Sequence, residues 1–170
     1  RRIELSFVDK IVIILEIATG LDDLHSNNEY HGNFSDKSVL INSTKDAYIG
    51  SFCYDNNSEK EVTKPKGPFY FRSPEFFNED INNEEVENDE DFYKKKRMND
   101  IYSFGVLMHE IITDIPPEVR MENHPRDSRI NILRSSYKEF LFSGENNEYF
   151  DDMIDLKNII EKCLSINQEE

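Results

Sequence analysis

His31-Gly32-Asn33-Phe34-Ser35-Asp36-Lys37-Ser38-Val39-Leu40-Ile41 and Asp100-Ile101-Tyr102-Ser103-Phe104-Gly105-Val106 are the two stretches on which the fold turns. The first opens polar and ends in three apolar residues that Asn42-Ser43 closes. Ala47-Tyr48-Ile49 follows a polar turn, so the two short runs read as a β-hairpin. Upstream, Phe7, Ile11, Ile14, Leu15, Ala18, Leu21 and Leu24 recur every three or four residues and predict a helix over residues 5–26. Ser6 with Asp9 marks its start, because a serine hydroxyl accepts from the free amides of a first turn. Ser26-Asn27-Asn28 ends it. The second stretch opens another helix, Asp100 to Thr113, with Ile101, Phe104, Leu107, Met108, Ile111 and Ile112 at helical spacing. Val106 adds a second apolar side, so this helix is expected to be buried. Pro116-Pro117 stops it.

Between these landmarks, residues 54–68 are polar, carry Pro65, Gly67 and Pro68, and read as a loop. Eight of the residues 78–91 are Asp or Glu, and Lys94-Lys95-Lys96-Arg97 follows at once. Residues 78–97 are therefore expected to be a solvated, disordered acidic and basic insertion. A third helical pattern runs from Ile130 to Phe142, and a last one covers about Met153 to Leu164. The expected fold is mainly α with a short β-hairpin near the front.

Composition excludes several classes. At 37% apolar residues with twelve Phe and eight Tyr, the chain of 170 residues can bury a core. A net charge of −15 repels phosphate backbones and argues against nucleic acid as a partner. No apolar run approaches the ~20 residues that cross a bilayer, so no membrane partner is expected. Cys53 and Cys163 are far apart, suit a reduced compartment and form no metal-ligand pair. No metal site and a cytoplasmic location are the expectations.

The motifs together resemble the protein kinase family. Residues His31 to Ile41 resemble the family's catalytic loop, H-R-D-L-K-x-x-N followed by apolar residues. Ile49-Gly50-Ser51-Phe52-Cys53 looks like the strand and D-F-G motif, and Ser73-Pro74-Glu75 like the A-P-E that ends the activation segment. Asp100 to Val106 is close to the D-x-W-S-x-G opening of the central helix, and Lys162-Cys163-Leu164-Ser165 resembles the helix near the family's end. The order and spacing of these matches imply a partial kinase domain over residues 1–170, the C-terminal lobe with the N-terminal lobe absent. No Gly-rich loop or Val-Ala-Ile-Lys strand precedes Arg1, so a fragment of a longer protein or a truncated gene product is the expectation. The flavour is that of the tyrosine-kinase-like serine/threonine group.

Phosphoryl transfer needs Mg²⁺ on the phosphates, a carboxylate near the attacking hydroxyl, and positive charge near the γ-phosphate. The resemblance puts Asn33 at the catalytic carboxylate, Ser35 at the phosphate-contacting lysine, Ser38 at the metal-binding asparagine and Ser51 at the D-F-G aspartate. Gly32 replaces an arginine and Pro68 a threonine. Loss of one Mg²⁺ carboxylate or of the base costs about 3–5 kcal/mol of transition-state stabilisation when taken alone. The structural positions are kept: His31 and Phe52 in the apolar spine, Val39, Leu40 and Ile41 in the floor below a nucleotide, Glu75, and Asp100. Asp100 is expected to accept hydrogen bonds from the backbone of the loop that begins at His31.

The resemblance therefore implies a catalytically inactive pseudokinase, a regulatory or scaffolding module that binds proteins, an active kinase among them. No cofactor is expected for such a fragment. The alternative is a divergent ATP-dependent serine/threonine kinase in a longer protein, which would use ATP and Mg²⁺. A marginally folded remnant is the third reading.

Overall fold

The computed structural model describes residues 4–51, 69–74, 89–122, 128, 131–133, 137–142, 150 and 153–165. Helix α1 spans Phe7–Ser26 and is held at its start as the sequence predicts. Ser6 Oγ accepts from the Asp9 amide at 3.2 Å, and Asp9 Oδ2 accepts from the Ser6 amide at 2.8 Å. Two of the amides that a helix start leaves unpaired are thereby satisfied reciprocally. The helix ends at Asn27, whose amide reaches back to the Leu24 carbonyl, and Asn28 takes the left-handed turn at φ 60°.

The buried side of α1 differs from the expected one. Lys10, Ile13, Ile14, Ile17 and Leu21 face inward, whereas Phe7 is 50% and Leu15 60% exposed. Residues 11–15 are apolar throughout, so helical spacing admits more than one stripe, and packing against the rest of the chain decides between them.

Two strands, β1 (Val39–Ile41) and β2 (Ala47–Ile49), form the expected antiparallel hairpin with Leu40 opposite Tyr48. Asn42 organises its turn: the side-chain oxygen accepts from the amides of Thr44 and Asp46, both at 2.9 Å. Glu16 of α1 accepts from the Ala47 amide at 2.7 Å and fixes the hairpin on that helix.

The central element is α2, Asp89–Thr113. It begins well before the expected Asp100. Residues 89–97, the end of the stretch expected to be disordered, are its first turns, and residues 78–88 lie outside the described ones. The physical reason is local. Glu90 and Asp91 stand four residues before Lys94 and Lys95, a spacing that supports a helix, and acids at the N-terminal end suit its dipole. Tyr30 meets the rings of Phe92 and Tyr93 at 6.0 and 5.8 Å and anchors the extension.

Further along, α2 is buried on every side: Tyr102, Phe104, Val106, Leu107, Met108 and Ile112 all belong to the core. Each such side chain, removed from water, contributes about 1.5–3 kcal/mol before entropy is counted. Helix α3 (Pro117–Met121) begins on a proline, and α4 (Tyr137–Leu141) and α5 (Ile154–Cys163) follow. Of the helical pattern expected over residues 130–142, the described residues 131–133 and α4 are helical, and residues 130 and 134–136 lie outside the described ones. His109 crosses from α2 to the Leu141 carbonyl at 3.0 Å, with the rings of Phe142 and Phe150 each 5.4 Å from its own. Lys10 Nζ donates to the Ile112 carbonyl at 3.1 Å and pairs with Asp114, so α1 closes the C-terminal end of α2.

Helices α2 and α5 approach most closely at Gly105. A Cβ there would lie 2.8 Å from Cys163 Cβ and 3.1 Å from Leu164 Cγ. Gly105→Ala is expected to cost about 1–3 kcal/mol in urea denaturation, the cost of overpacking a dense core. Gly20→Ala, where only the flexible tip of Ile49 is near at 3.2 Å, stays within about 1 kcal/mol of wild type because alanine favours the helix.

Candidate functional site

The site is built around a buried charge. Asp100, fully buried on α2, accepts from the His31 amide at 2.7 Å through Oδ2 and from the Gly32 amide at 3.0 Å through Oδ1. His25 Nε2, at the end of α1, lies 3.3 Å from the same Oδ2. An ionised carboxylate away from water must be hydrogen-bonded or paired, and these three groups meet that need. Because both amides bind one carboxylate, the turn through Gly32 is sharp, with φ 72°. That left-handed conformation costs a residue with a Cβ about 1–2 kcal/mol, which explains a glycine at this position.

His31, fully buried, is fixed through both ring nitrogens. Nε2 donates to the Gly50 carbonyl at 2.8 Å, and Nδ1 accepts from the Asn33 amide at 3.2 Å. A carbonyl can only accept and an amide can only donate, so the proton sits on Nε2. Through Gly50 the ring also ties the loop to the chain leaving β2. Its edge meets Phe34 at 5.3 Å, and Phe34 meets Phe104 of α2 at 6.4 Å. The loop is thus packed onto the central helix by rings as well as by hydrogen bonds.

Ser35 and Ser38 of the loop turn inward. Ser35 Oγ accepts from the Lys37 amide at 3.3 Å and starts the 3-10 turn Asp36–Ser38. Ser38 Oγ donates to the Asn33 carbonyl at 2.9 Å, and its own carbonyl accepts from the Gly50 amide at 2.8 Å. Both serines are buried, so neither hydroxyl is presented outward. The side-chain oxygen of Asn33 is buried and finds no hydrogen-bond partner among the described residues. Ser51 is exposed at φ 60°. Asn33 and Ser38 are brought together, and Ser51 follows Gly50, which both Ser38 and His31 bind. Val39 is half-buried, while Leu40 is 62% and Ile41 39% exposed on opposite faces of β1. Phe52 and Glu75, with Cys53, Gly67 and Pro68, lie outside the described residues.

The segment before Glu75 is nevertheless anchored. Ser103 Oγ donates to the Phe71 carbonyl at 2.6 Å, and Asn99 Oδ1 accepts from the Ser73 amide at 3.0 Å. Among the described residues no three His, Cys, Asp or Glu side chains are grouped as metal ligands, and no helix is long and apolar enough to cross a membrane.

Two residues of consequence escaped the reading of the sequence. His25 carries no signal in the sequence, since its approach to Asp100 depends on how α1 and α2 pack. Glu110 had been passed over within the apolar run of α2. A lone acid between Leu107, Met108, Ile111 and Ile112 was the available signal. Burial first, then the nearby charges of Asp36 and Glu118, raise its carboxyl to about 7.

With this geometry in place, the family is clear. The family of protein tyrosine and serine/threonine kinases matches residues 1–170, and the chain belongs to it. Its likeness to particular members is moderate. It is 26% identical over 140 residues to a protein of Arabidopsis thaliana named "Probable inactive receptor kinase", with 78% of this chain and 19% of that protein covered. It is 26% identical over 141 residues to calmodulin-binding receptor-like cytoplasmic kinase 3 of the same plant, covering 78% and 25%. A leucine-rich-repeat receptor-like serine/threonine-protein kinase from that plant, named "Probable LRR receptor-like serine/threonine-protein kinase IRK", is 25% identical over 167 residues, covering 95% and 16%. The chain thus spans a quarter or less of the length of these relatives.

The hydrogen bonds of His31 predict one tautomer. Nitrogen-15 spectra of the ring are expected to show the proton on Nε2 and a bare Nδ1, whereas a proton on Nδ1 would contradict the two contacts described.

Proposed function

We propose that this chain is the C-terminal lobe of a kinase domain of the tyrosine-kinase-like group that no longer transfers phosphate. It serves as a protein-binding regulatory or scaffolding module, a pseudokinase, in the cytoplasm. Its partners are proteins, an active kinase among them.

The observation that carries this reading is the chemistry of the residues gathered around Asn33. Mg²⁺ is a hard cation that prefers charged oxygen ligands. The oxygens standing at the family's metal and base positions are an amide, Asn33, and two hydroxyls, Ser38 and Ser51. The Ser38 hydroxyl is already donated to the Asn33 carbonyl. A Ser35 side chain that starts the 3-10 turn supplies no positive charge where a lysine would meet phosphate. This donor set does not fit a magnesium nucleotide, so no step of phosphoryl transfer is routed through it. What these residues do is hold one another: Asp100, His31, Phe34 and Ser38 tie the loop together. A loop held in this way, beside the exposed side chain of Leu40, suits a module that is recognised by other proteins.

The pairing of Asp100 with the His31 and Gly32 amides supports this reading over a decayed remnant. The divergent kinase remains the second reading, because the chain is as similar to relatives named as kinases as to one named inactive.

The test uses the complete protein. Thermal unfolding with ATP at a concentration of about 1 mM, with and without Mg²⁺, is expected to show no magnesium-dependent gain beyond about 0.4 kcal/mol, the gain at a concentration equal to Kd. Converting Asn33, Ser38 and Ser51 together to Asp, Asn and Asp should create such a gain. Magnesium-dependent labelling of a peptide by the wild type, lost in Asn33→Ala, would establish the second reading instead.

A further inference from the structure

Glu110 stands apart from the loop interactions described above. It lines a cavity of about 690 Å³ between α2, β1 and the chain entering α1. One carboxylate oxygen, Oε2, is buried and has no hydrogen-bond partner among the described residues. The charged groups facing it come from every neighbouring element. Asp36 stands on the 3-10 turn, Glu4 precedes α1, Asp114 follows α2, and all three line the same cavity. Glu118 of α3 adds its negative charge. The cation of the neighbouring helix, Lys10, is held by the Ile112 carbonyl and by Asp114. Across the cavity, Val39 and Ile41 of β1 face Leu107 and Ile111 of α2. Here an apolar strand and an apolar helix face each other across a gap with carboxylates at its edge.

We propose that Glu110 is a proton-operated latch: neutral, it lets the Asp36–Ser38 turn and β1 close on α2, and ionised, it holds them apart. The cause is electrostatic. A carboxylate in poor solvent that faces other carboxylates is relieved by admitting water and by moving its neighbours away. Once protonated, the same group becomes a donor that an acid on the opposite turn can accept. Burial and the charges of Asp36 and Glu118 raise the carboxyl to about 7, so the exchange falls near neutral pH. The sign follows from the folded value lying above the ordinary 4.5. The stability it contributes is complete below the ordinary value and is lost as pH rises through about 7. Because Val39 and Ile41 line the gap, pH would set how far it stands open. The latch requires neither nucleotide binding nor its absence.

Methyl spectra of Val39 and Ile41 in the full chain, followed from about pH 5 to about pH 8 alongside the urea midpoint, test it. In the wild type these methyls should titrate together with a midpoint near 7, as Glu110 does, and the urea midpoint should fall as pH rises. E110Q, which keeps every histidine, should abolish the methyl titration and flatten the fall in urea midpoint. D36N should move the methyl midpoint to lower pH. Methyls that do not titrate, or that titrate unchanged in E110Q, would overturn the proposal. If E110Q does not fold, an unchanged midpoint in D36N overturns it alone.

Discussion

A single buried carboxylate organises the molecule. Asp100 is inaccessible to water, so its charge is tolerable only where donors converge, and the amides of His31 and Gly32 are those donors. From that requirement follow the left-handed turn at Gly32, the inward direction of His31, and the position of β1 and β2 beyond it. The central helix supplies the charge and its apolar sides supply the core. Packing and polar pairing therefore depend on one another: a shift of α2 would strand the carboxylate, and a slack loop would leave it unpaired.

The same arrangement accounts for the shape of the loop. Asp100, His31 and Phe34 bear on shape, and each has its partners. Asn33, Ser35, Ser38 and Ser51 carry no charge. The hydroxyls of Ser35 and Ser38 even reinforce the loop from within. A small polar side chain that is hydrogen-bonded inside a turn carries a smaller desolvation cost than a charged one would.

Local rules recovered the local structure. The start of α1 was legible from Ser6 and Asp9, and the hairpin from two short apolar runs around Asn42, because both are decided by contacts within a few residues. The buried face of α1 was not legible, since Phe7 and Leu15 fit a helical stripe as well as Ile13 and Ile17 do. Only packing against α2 distinguishes them. The early start of α2 was missed for a related reason. A run of charges reads as solvated chain, yet the rings of Phe92 and Tyr93 find Tyr30 across the fold. At the site, the motif spacing led to Asp100, His31 and Ser38, whereas His25 and Glu110 become notable only when α1, the Asp36 turn and α2 are brought together.

Amide hydrogen exchange at His31 and Gly32 tests the dependence on Asp100 most directly. If the carboxylate holds the loop, both amides exchange as slowly as those of the buried part of α2, opening only with global unfolding. Exchange at the rate of the exposed hairpin turn around Thr44, with α2 still protected, would show that the loop is not held by Asp100 and would contradict this account.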